Sequence, residues 1–244
     1  MQPIIIIPSR LASTRLPRKP LAHIGSLPMI AHVVKRAQQA NIGKVVVAAG
    51  DQEILDAIEG MDGVLGVLTE SSLPSGSDRV YDALQKFDPL EKYDVVINLQ
   101  GDLPLIKPDD LRSALKPLED QNVDIGTLVA PIKDEHEKSA PQVVKVACDF
   151  GEKSVTRALY FSRSLIPWGE GTHWHHVGVY AWRRAALKKF ISLPPSGLEK
   201  RESLEQLRAL EAGMSIGCAQ IEHAPLGVDT PEDLERVRGM IECR

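Results

Sequence analysis

The chain has 244 residues, of which 43% are hydrophobic and 25% charged, with 29 Lys and Arg against 33 Asp and Glu for a formal net charge of −4. That length supports one sizeable α/β core, or one core with a small lobe. The composition excludes disorder and collagen-like repeats, and the charge excludes a global attraction to nucleic acid or an anionic membrane, so any anion site must be local. The four isoleucines at 4–7 are far too short to span a bilayer and have no basic region before them, so neither a spanning segment nor a secretion signal is expected. Cys148, Cys218 and Cys243 are odd in number and lack metal-ligand spacing, which argues against a disulfide framework and for a reducing cytoplasm.

Short β-rich runs alternate with segments of helical period, the pattern of βαβ units around a mainly parallel sheet. Residues 3–7 read as a buried strand, and after a long loop Ile30, Val33, Val34 and Ala37 predict a helix over 29–39. Residues 44–48 form a second expected strand. Asp51 is positioned to cap a helix through residue 58, residues 64–68 follow as a strand, and Ser77 begins a helix to about residue 86. Residues 93–99 are a buried run that stops at Gln100-Gly101-Asp102-Leu103-Pro104. Those polar groups therefore lie beyond the carboxyl end of a strand, where open α/β sheets bind ligands. After a helix over about 108–120 the rhythm changes. Residues 125–130, 143–147, 155–160 and 177–182 read as strands with little helix between them, a small β-rich lobe at about 125–182. A helix over 199–212, a strand over 216–220 and a final helix from Pro231 return to the α/β pattern. With no internal repeat, residues 1–244 are expected to form a single domain carrying that lobe.

The loop after the first strand, PSRLASTRLPRKP, places Arg10, Arg15, Arg18 and Lys19 together with Ser9, Ser13, Thr14 and free backbone N–H groups, and Pro17 and Pro20 stiffen it. A nucleoside triphosphate needs such a cradle, because charge-assisted bonds are strong in a partly desolvated cleft. A solvated basic loop is the competing reading, and the Gly spacing of a Walker A loop is absent. Asp102 has a metal ligand's position, and Gly227-Val228-Asp229-Thr230-Pro231 offers a second aspartate. Two aspartates and a triphosphate form a coordination set for Mg²⁺; as an alternative, Asp229 caps the helix that Pro231 opens. Ser75-Gly76-Ser77-Asp78-Arg79 enters a helix with small residues and a guanidinium fork, or is a simple capped turn. The run His173-Trp174-His175-His176 lacks the spacing of a zinc site, and the acidic stripe Glu199, Glu202, Glu205 reads as a solvated helix face.

Eight segments in order, IIIIPSRLASTRLPRKPL, SGSDR, NLQGDLP, VVKV, ALYFSRSLIPW, HHVGVYAWRR, LEKRESLEQLRALEAG and GVDTPEDLERVR, resemble the 3-deoxy-manno-octulosonate (KDO) cytidylyltransferases over nearly the whole chain. The resemblance implies an α/β, Rossmann-like nucleotide-diphospho-sugar transferase fold with a β-rich lobe that dimerises. It implies a cytoplasmic, Mg²⁺-dependent enzyme that joins CTP and KDO into CMP-KDO and pyrophosphate for lipopolysaccharide synthesis, with no nucleic acid or membrane partner. Arg10, Arg15 and Lys19 would hold the triphosphate, and Pro8, Ser9, Ser75, Gly76, Arg79, Gln100 and Asp102 would contact the nucleotide. Asp102 and Asp229 would bind Mg²⁺. Gln100, Arg163, His176, Tyr180, Glu205 and Gln206 match the sugar pocket, with Arg163 facing the carboxylate. Of the acidic stripe only Glu205 gains a role; Glu199 and Glu202 keep the solvated reading.

The chain departs from its resemblance at four places. Arg18 stands where Gly is common, Leu103 where Glu is frequent, Gln142 for Asn, and Gly50 where Asp often follows the second strand, with Asp51 adjacent. Arg18 adds a cation to the loop that would either slow pyrophosphate release or merely point outward, and Leu103 is expected to remove a carboxylate near the metal. The rival readings are a cytidylyltransferase for 8-amino-KDO or a sialic acid, a nucleotide-binding protein without turnover, and a glycosyltransferase. The last lacks its usual Asp-x-Asp motif, since only Asp102 follows the 93–99 strand.

Overall fold

The computed structural model describes residues 1–242, and Cys243 lies outside the described residues. It contains two compact units, one of Met1–Leu111 with the chain from Pro225 onward, the other Arg112–Ala224.

The first unit begins with β1 (Pro3–Ser9), whose isoleucines at 4–7 are all fully buried. Burial of consecutive residues marks a strand covered on both faces, the hallmark of parallel α/β sheets. A 3₁₀ turn at Lys19–Leu21 and a small hairpin of β2 (His23–Ile24) and β3 (Leu27–Pro28) lead into α1 (Met29–Gln39). Then follow β4 (Lys44–Ala49), α2 (Gln52–Asp56), β5 (Val64–Leu68), α3 (Gly76–Phe87), β6 (Val95–Asn98) and α4 (Pro108–Ser113). The strands lie in the order β5-β4-β1-β6, every pair parallel. The chain thus runs from β1 outward to β4 and β5, then returns to place β6 on the other side of β1. That reversal creates a topological switch point at the carboxyl ends of β1 and β6, the position where such sheets bind ligands.

The second unit holds β7 (Ile125–Pro131), α5 (Glu135–Ser139), β8 (Lys145–Ala147), β9 (Val155–Arg157), β10 (Tyr160–Ser162) and β11 (Trp174–Arg183). It ends with α6 (Arg184–Ser192), α7 (Gly197–Glu202), α8 (Gln206–Glu211) and β12 (Ile216–Gln220). Its strand order is β11-β7-β12-β9, with β8 on β11 and β10 on β8; β7 and β12 are parallel and the other pairs antiparallel. A bulge interrupts the β11–β7 register between Val177 and Tyr180. Gly126 on β7 is required by close approach, because a Cβ there would lie 2.3 Å from the Ala114 carbonyl oxygen.

Several expected elements are broken by particular residues. The helix over 108–120 stops early, and Pro117 occupies a separate 3₁₀ turn, Lys116–Glu119, because it cannot donate inside an α-helix. The strand expected over 155–160 is two, β9 and β10. The helix over 199–212 divides into α7 and α8 at Ser203, whose φ of 54° is left-handed. The freed carbonyls of Glu202 and Ser203 both accept from the Arg163 guanidinium, at 2.7 and 3.1 Å. The last helix, α9 (Pro231–Glu242), returns to the first unit and buries Leu234 and Val237 with Ile24, Met29 and Val228. Among the described residues no helix is long and apolar enough to cross a membrane.

Candidate active site

A cavity of about 760 Å³ opens at the switch point of the first unit. Pro8, Ser9, Arg10, Arg15, Lys19, Ser75, Gly76, Arg79, Gln100, Asp102 and Asp229 all line it, so the structure gathers every residue expected to contact the nucleotide or the metal.

The 10–18 loop is a tied object. Arg18 N–H donates to Leu11 C=O at 3.3 Å, Leu11 N–H donates to Asp51 Oδ2 at 2.8 Å, and Gly50 N–H donates to Ser9 C=O at 2.8 Å. Asp51 therefore anchors the loop to the start of α2, and makes no side-chain cap there. Arg18 has φ 57°, the left-handed conformation that suits Gly, and its guanidinium pairs with Glu53 on α2. The hydrogen bond and charge of Glu53 raise the Arg18 pKa. Of the two readings of Arg18 the outward one holds: its charge is engaged by Glu53, and Arg18 does not line the cavity. Both partners are more than half exposed, so Arg18→Gly trades a screened ion pair for relief of backbone strain. The expected result is a melting temperature within about 2 °C of wild type and a kcat/KM for CTP within about threefold, read by calorimetry and steady-state kinetics.

Lys19, at the start of the 3₁₀ turn, extends its ammonium between two carboxylates, 2.8 Å from Asp102 Oδ2 and 3.1 Å from Asp229 Oδ1. Burial disfavours its charge, but Asp102 and Asp229 outweigh that penalty and raise its pKa. Arg15 reaches Asp229 Oδ2 at 3.2 Å. Asp102 follows β6, and Val228 N–H donates to Asp102 C=O at 3.0 Å, which holds the Asp229 segment beside it. The capping alternative for Asp229 is answered by its neighbour. Thr230 precedes α9 and its Oγ1 accepts from Asp233 N–H at 3.2 Å, while Asp233 Oδ2 accepts from Thr230 N–H at 3.1 Å. That reciprocal pair caps α9 and leaves the Asp229 carboxylate to the cations. Leu103, where a carboxylate is frequent, is 8% exposed and lies beside Gly227, where an added Cβ would be 3.6 Å from its Cδ2.

Ser75 caps α3, which begins at Gly76, one residue earlier than expected, and accepts from Asp78 N–H at 3.2 Å. Arg79 on α3 is 2% exposed; Nη1 donates to Thr69 Oγ1 and to Glu70 C=O, and Nη2 has no partner among the described residues. Burial and then the charge of Arg10 lower its pKa. Two guanidiniums that repel one another, one with an unused buried donor, form a site that an anion stabilises. At Gly50 a Cβ would lie 2.7 Å from Arg79 Nη1, so no side chain stands against that guanidinium. Asn98 was missed by sequence reasoning: it ends the apolar run of β6, is 1% exposed, and its Oδ1 accepts from Gln100 Nε2 at 3.0 Å, orienting the Gln100 amide.

The remaining expected sugar residues belong to the second unit. The His176 and Tyr180 rings on β11 are 5.4 Å apart. Burial, then the Glu205 charge, raises the Tyr180 pKa, which places Glu205 at the start of α8 near that ring. Gln206 is 5% exposed and its Nε2 lacks a partner among the described residues. Arg163 donates to Glu202, Ser203 and Pro141 carbonyls, so part of its fork is committed to backbone. Glu199 contradicts the solvated reading. It is 8% exposed, pairs with Arg208, and completes a capping box with Ser196. Glu202 too is engaged, accepting from Ser162 Oγ and Arg163 N–H.

Comparison with known proteins adds chemistry to this geometry. The profile of the cytidylyltransferase family matches residues 4–216. The 3-deoxy-manno-octulosonate cytidylyltransferase of Rhizobium leguminosarum bv. trifolii is 53% identical over 99% of this chain and 96% of its own. The protein of that name from Methylobacterium radiotolerans is also 53% identical, over 99% of this chain and 98% of its own. A solved structure of CMP:2-keto-3-deoxy-manno-octonic acid synthetase complexed with CTP superposes with a TM-score of 0.91 at 38% identity, covering 100% of this chain and 99% of that one. Likeness of sequence and of fold along the full length leads to one conclusion: this chain belongs to the 3-deoxy-manno-octulosonate cytidylyltransferase family.

Proposed function

We propose that the chain transfers the cytidylyl group of CTP to the anomeric hydroxyl of KDO, releasing pyrophosphate and supplying CMP-KDO for lipopolysaccharide synthesis. The observation that carries the reading is the convergence of Lys19, Asp102 and Asp229 in a cavity ringed by arginines, in a chain whose relatives bear that activity in their names. Arg10, Arg15, Lys19 and the α3 entry at Ser75, Gly76 and Arg79 receive the triphosphate, which satisfies the unused Arg79 donor. Gln100 presents an amide already oriented by Asn98. Arg163, His176, Tyr180, Glu205 and Gln206 receive the acid sugar.

Asp102 and Asp229 suit Mg²⁺: their oxygens converge within 3.1 Å of one positive centre, and hard carboxylate oxygens beside phosphate oxygens are the donors that ion takes. When bound, Mg²⁺ neutralises phosphate charge and lowers the pKa of a coordinated hydroxyl. Lys19, kept protonated by its two carboxylates, is pre-placed to meet the charge that develops on the triphosphate as pyrophosphate departs, at little reorganisation cost. The arginines and the ordered loop also offset the repulsion of bringing a sugar carboxylate next to a triphosphate. No covalent enzyme intermediate is required for in-line attack on the α-phosphorus.

Cytoplasmic operation rests on CTP as substrate. A homodimer is what the family resemblance implies, and Trp168, Leu159 and Leu165, 100%, 68% and 45% exposed in the second unit, are apolar groups that a partner subunit would cover. The test crosses each nucleoside triphosphate with KDO, 8-amino-KDO and a sialic acid and reads pyrophosphate release with and without Mg²⁺. Release is expected with CTP and KDO in the presence of Mg²⁺. Absence of release from CTP with any of the three acids overturns the reading, and turnover of 8-amino-KDO or sialic acid in place of KDO overturns the choice of acid.

A further inference from the structure

Thr127 lies on β7, fully buried, facing the bulge in β11. The register there passes from Val177 opposite Leu128 to Tyr180 opposite Thr127, so Gly178 and Val179 stand out of the ladder. The bulge turns carbonyls toward the Thr127 hydroxyl, Val179 C=O at 2.9 Å and Val177 C=O at 3.3 Å, and His176 Nε2 lies 3.1 Å from the same oxygen. A threonine hydroxyl has one proton and two lone pairs, whereas a carbonyl only accepts. The proton therefore belongs to Val179 C=O, the nearer of the two carbonyls, because two oxygens 2.9 Å apart with no proton between them repel. What remains for the imidazole is a lone pair, so Nε2 carries the ring proton and donates.

We propose that Thr127 is a positioning residue for the acid sugar: it fixes His176 as the Nε2-protonated tautomer, so that Nδ1 offers a lone pair to a sugar hydroxyl. The inference rests on the assignment of His176 to the sugar side under the proposed function. Burial, with the adjacent His175, lowers the His176 pKa to about 3, which keeps the ring neutral. Its plane is set by an edge contact on Phe161, centroids 5.0 Å apart at 74°. Turning the hydroxyl proton toward the ring would leave the Thr127 and Val179 oxygens 2.9 Å apart with no proton between them, which disfavours the reversed arrangement. A neutral acceptor of this kind selects a hydroxyl donor and leaves the sugar's carboxylate to cations elsewhere.

The test compares wild type, Thr127→Ser and Thr127→Val by long-range ¹H–¹⁵N correlation of the His176 imidazole and by KM for KDO, KM for CTP and kcat. Wild type and Thr127→Ser should show the Nε2-protonated ring and KDO KM values within about threefold of each other. Thr127→Val, close to isosteric but without the hydroxyl, should raise the KDO KM about tenfold while the CTP KM stays within about twofold. An Nδ1-protonated ring in wild type overturns the proposal. So does an unchanged KDO KM in Thr127→Val when wild type turns KDO over. If wild type releases no pyrophosphate from CTP and KDO, the functional reading fails and takes the proposal with it; the tautomer spectrum, which needs no turnover, tells that failure from an error about Thr127.

Discussion

Asp102→Asn is expected to lower pyrophosphate release from CTP and KDO by about a thousandfold or more, with a melting temperature within about 3 °C of wild type. The carboxylate has no structural duty that an amide cannot meet. Its segment is held through backbone, Val228 N–H to Asp102 C=O, and its Oδ2 contact is to Lys19, which keeps Asp229 at 3.1 Å. What the amide cannot supply is charge, either to a hard divalent cation or to the raised pKa of Lys19. Under the proposed Mg²⁺ assignment, loss of one of two protein carboxylates would leave a set too weak to hold the ion at working concentration, and the barrier would rise by the several kcal/mol that metal and preorganised cation supply. CTP binding separates this from a general defect. Calorimetry without Mg²⁺ should give Asp102→Asn an affinity equal to or above wild type, because a negative group has left an anion site. Near-normal turnover in the variant would remove the metal assignment.

The first unit is legible in the sequence because its signals are local. Ile4 to Ile7 are buried on both faces, and the break from apolar residues to Gln100-Gly101-Asp102 marks a strand end without reference to anything distant. Arg10, Arg15, Lys19, Asp102 and Asp229 follow from the same logic together with the family resemblance. What sequence misses is decided by partners far along the chain. Arg18 looks like one more phosphate cation until Glu53, 35 residues on, is found to hold it. Asp229 looks like a helix cap until Thr230 and Asp233 are seen to close that helix themselves. Helical spacing carries the stripe of Glu199, Glu202 and Glu205 across Ser203, whereas the backbone turns left-handed there with its carbonyls on Arg163. A polar residue inside an apolar strand run is the one local hint of the missed positions: Asn98 ends β6 and Thr127 interrupts β7, and both hold other polar side chains in place.

Glu199→Ala is expected to cost about 3–5 kcal/mol of stability, the largest effect of any single change considered away from the cavity. Glu199 and Arg208 are 8% and 9% exposed, Arg208 Nε donates to Glu199 Oε2 at 2.8 Å, and the guanidinium carbon lies 4.6 Å from the Phe190 ring centre. Truncation removes from a buried guanidinium the carboxylate that accepts from its Nε and Nη2, and also removes the Ser196 capping partner. Replacing both residues by Met should recover most of the loss, since neither charge is then stranded, and a double-mutant cycle in urea measures the coupling. Acid separates this pair from the histidines. Burial favours a neutral Glu199, but Arg208 and the Ser196 N–H outweigh it and lower its pKa, so the pair stabilises above the unfolded carboxyl value of about 4.3 and is lost as pH falls through the lower folded value. His175 and His176, depressed to about 4 and about 3 chiefly by burial, act earlier: the unfolded chain binds protons below about 6.5 that the folded chain refuses, so stability already declines from there downward. Urea midpoints at descending pH should therefore fall in two stages for wild type, and in Glu199→Ala the upper stage should persist while the lower one shrinks. A single stage confined to pH below about 4 in wild type would show that the histidines protonate without opposing the fold.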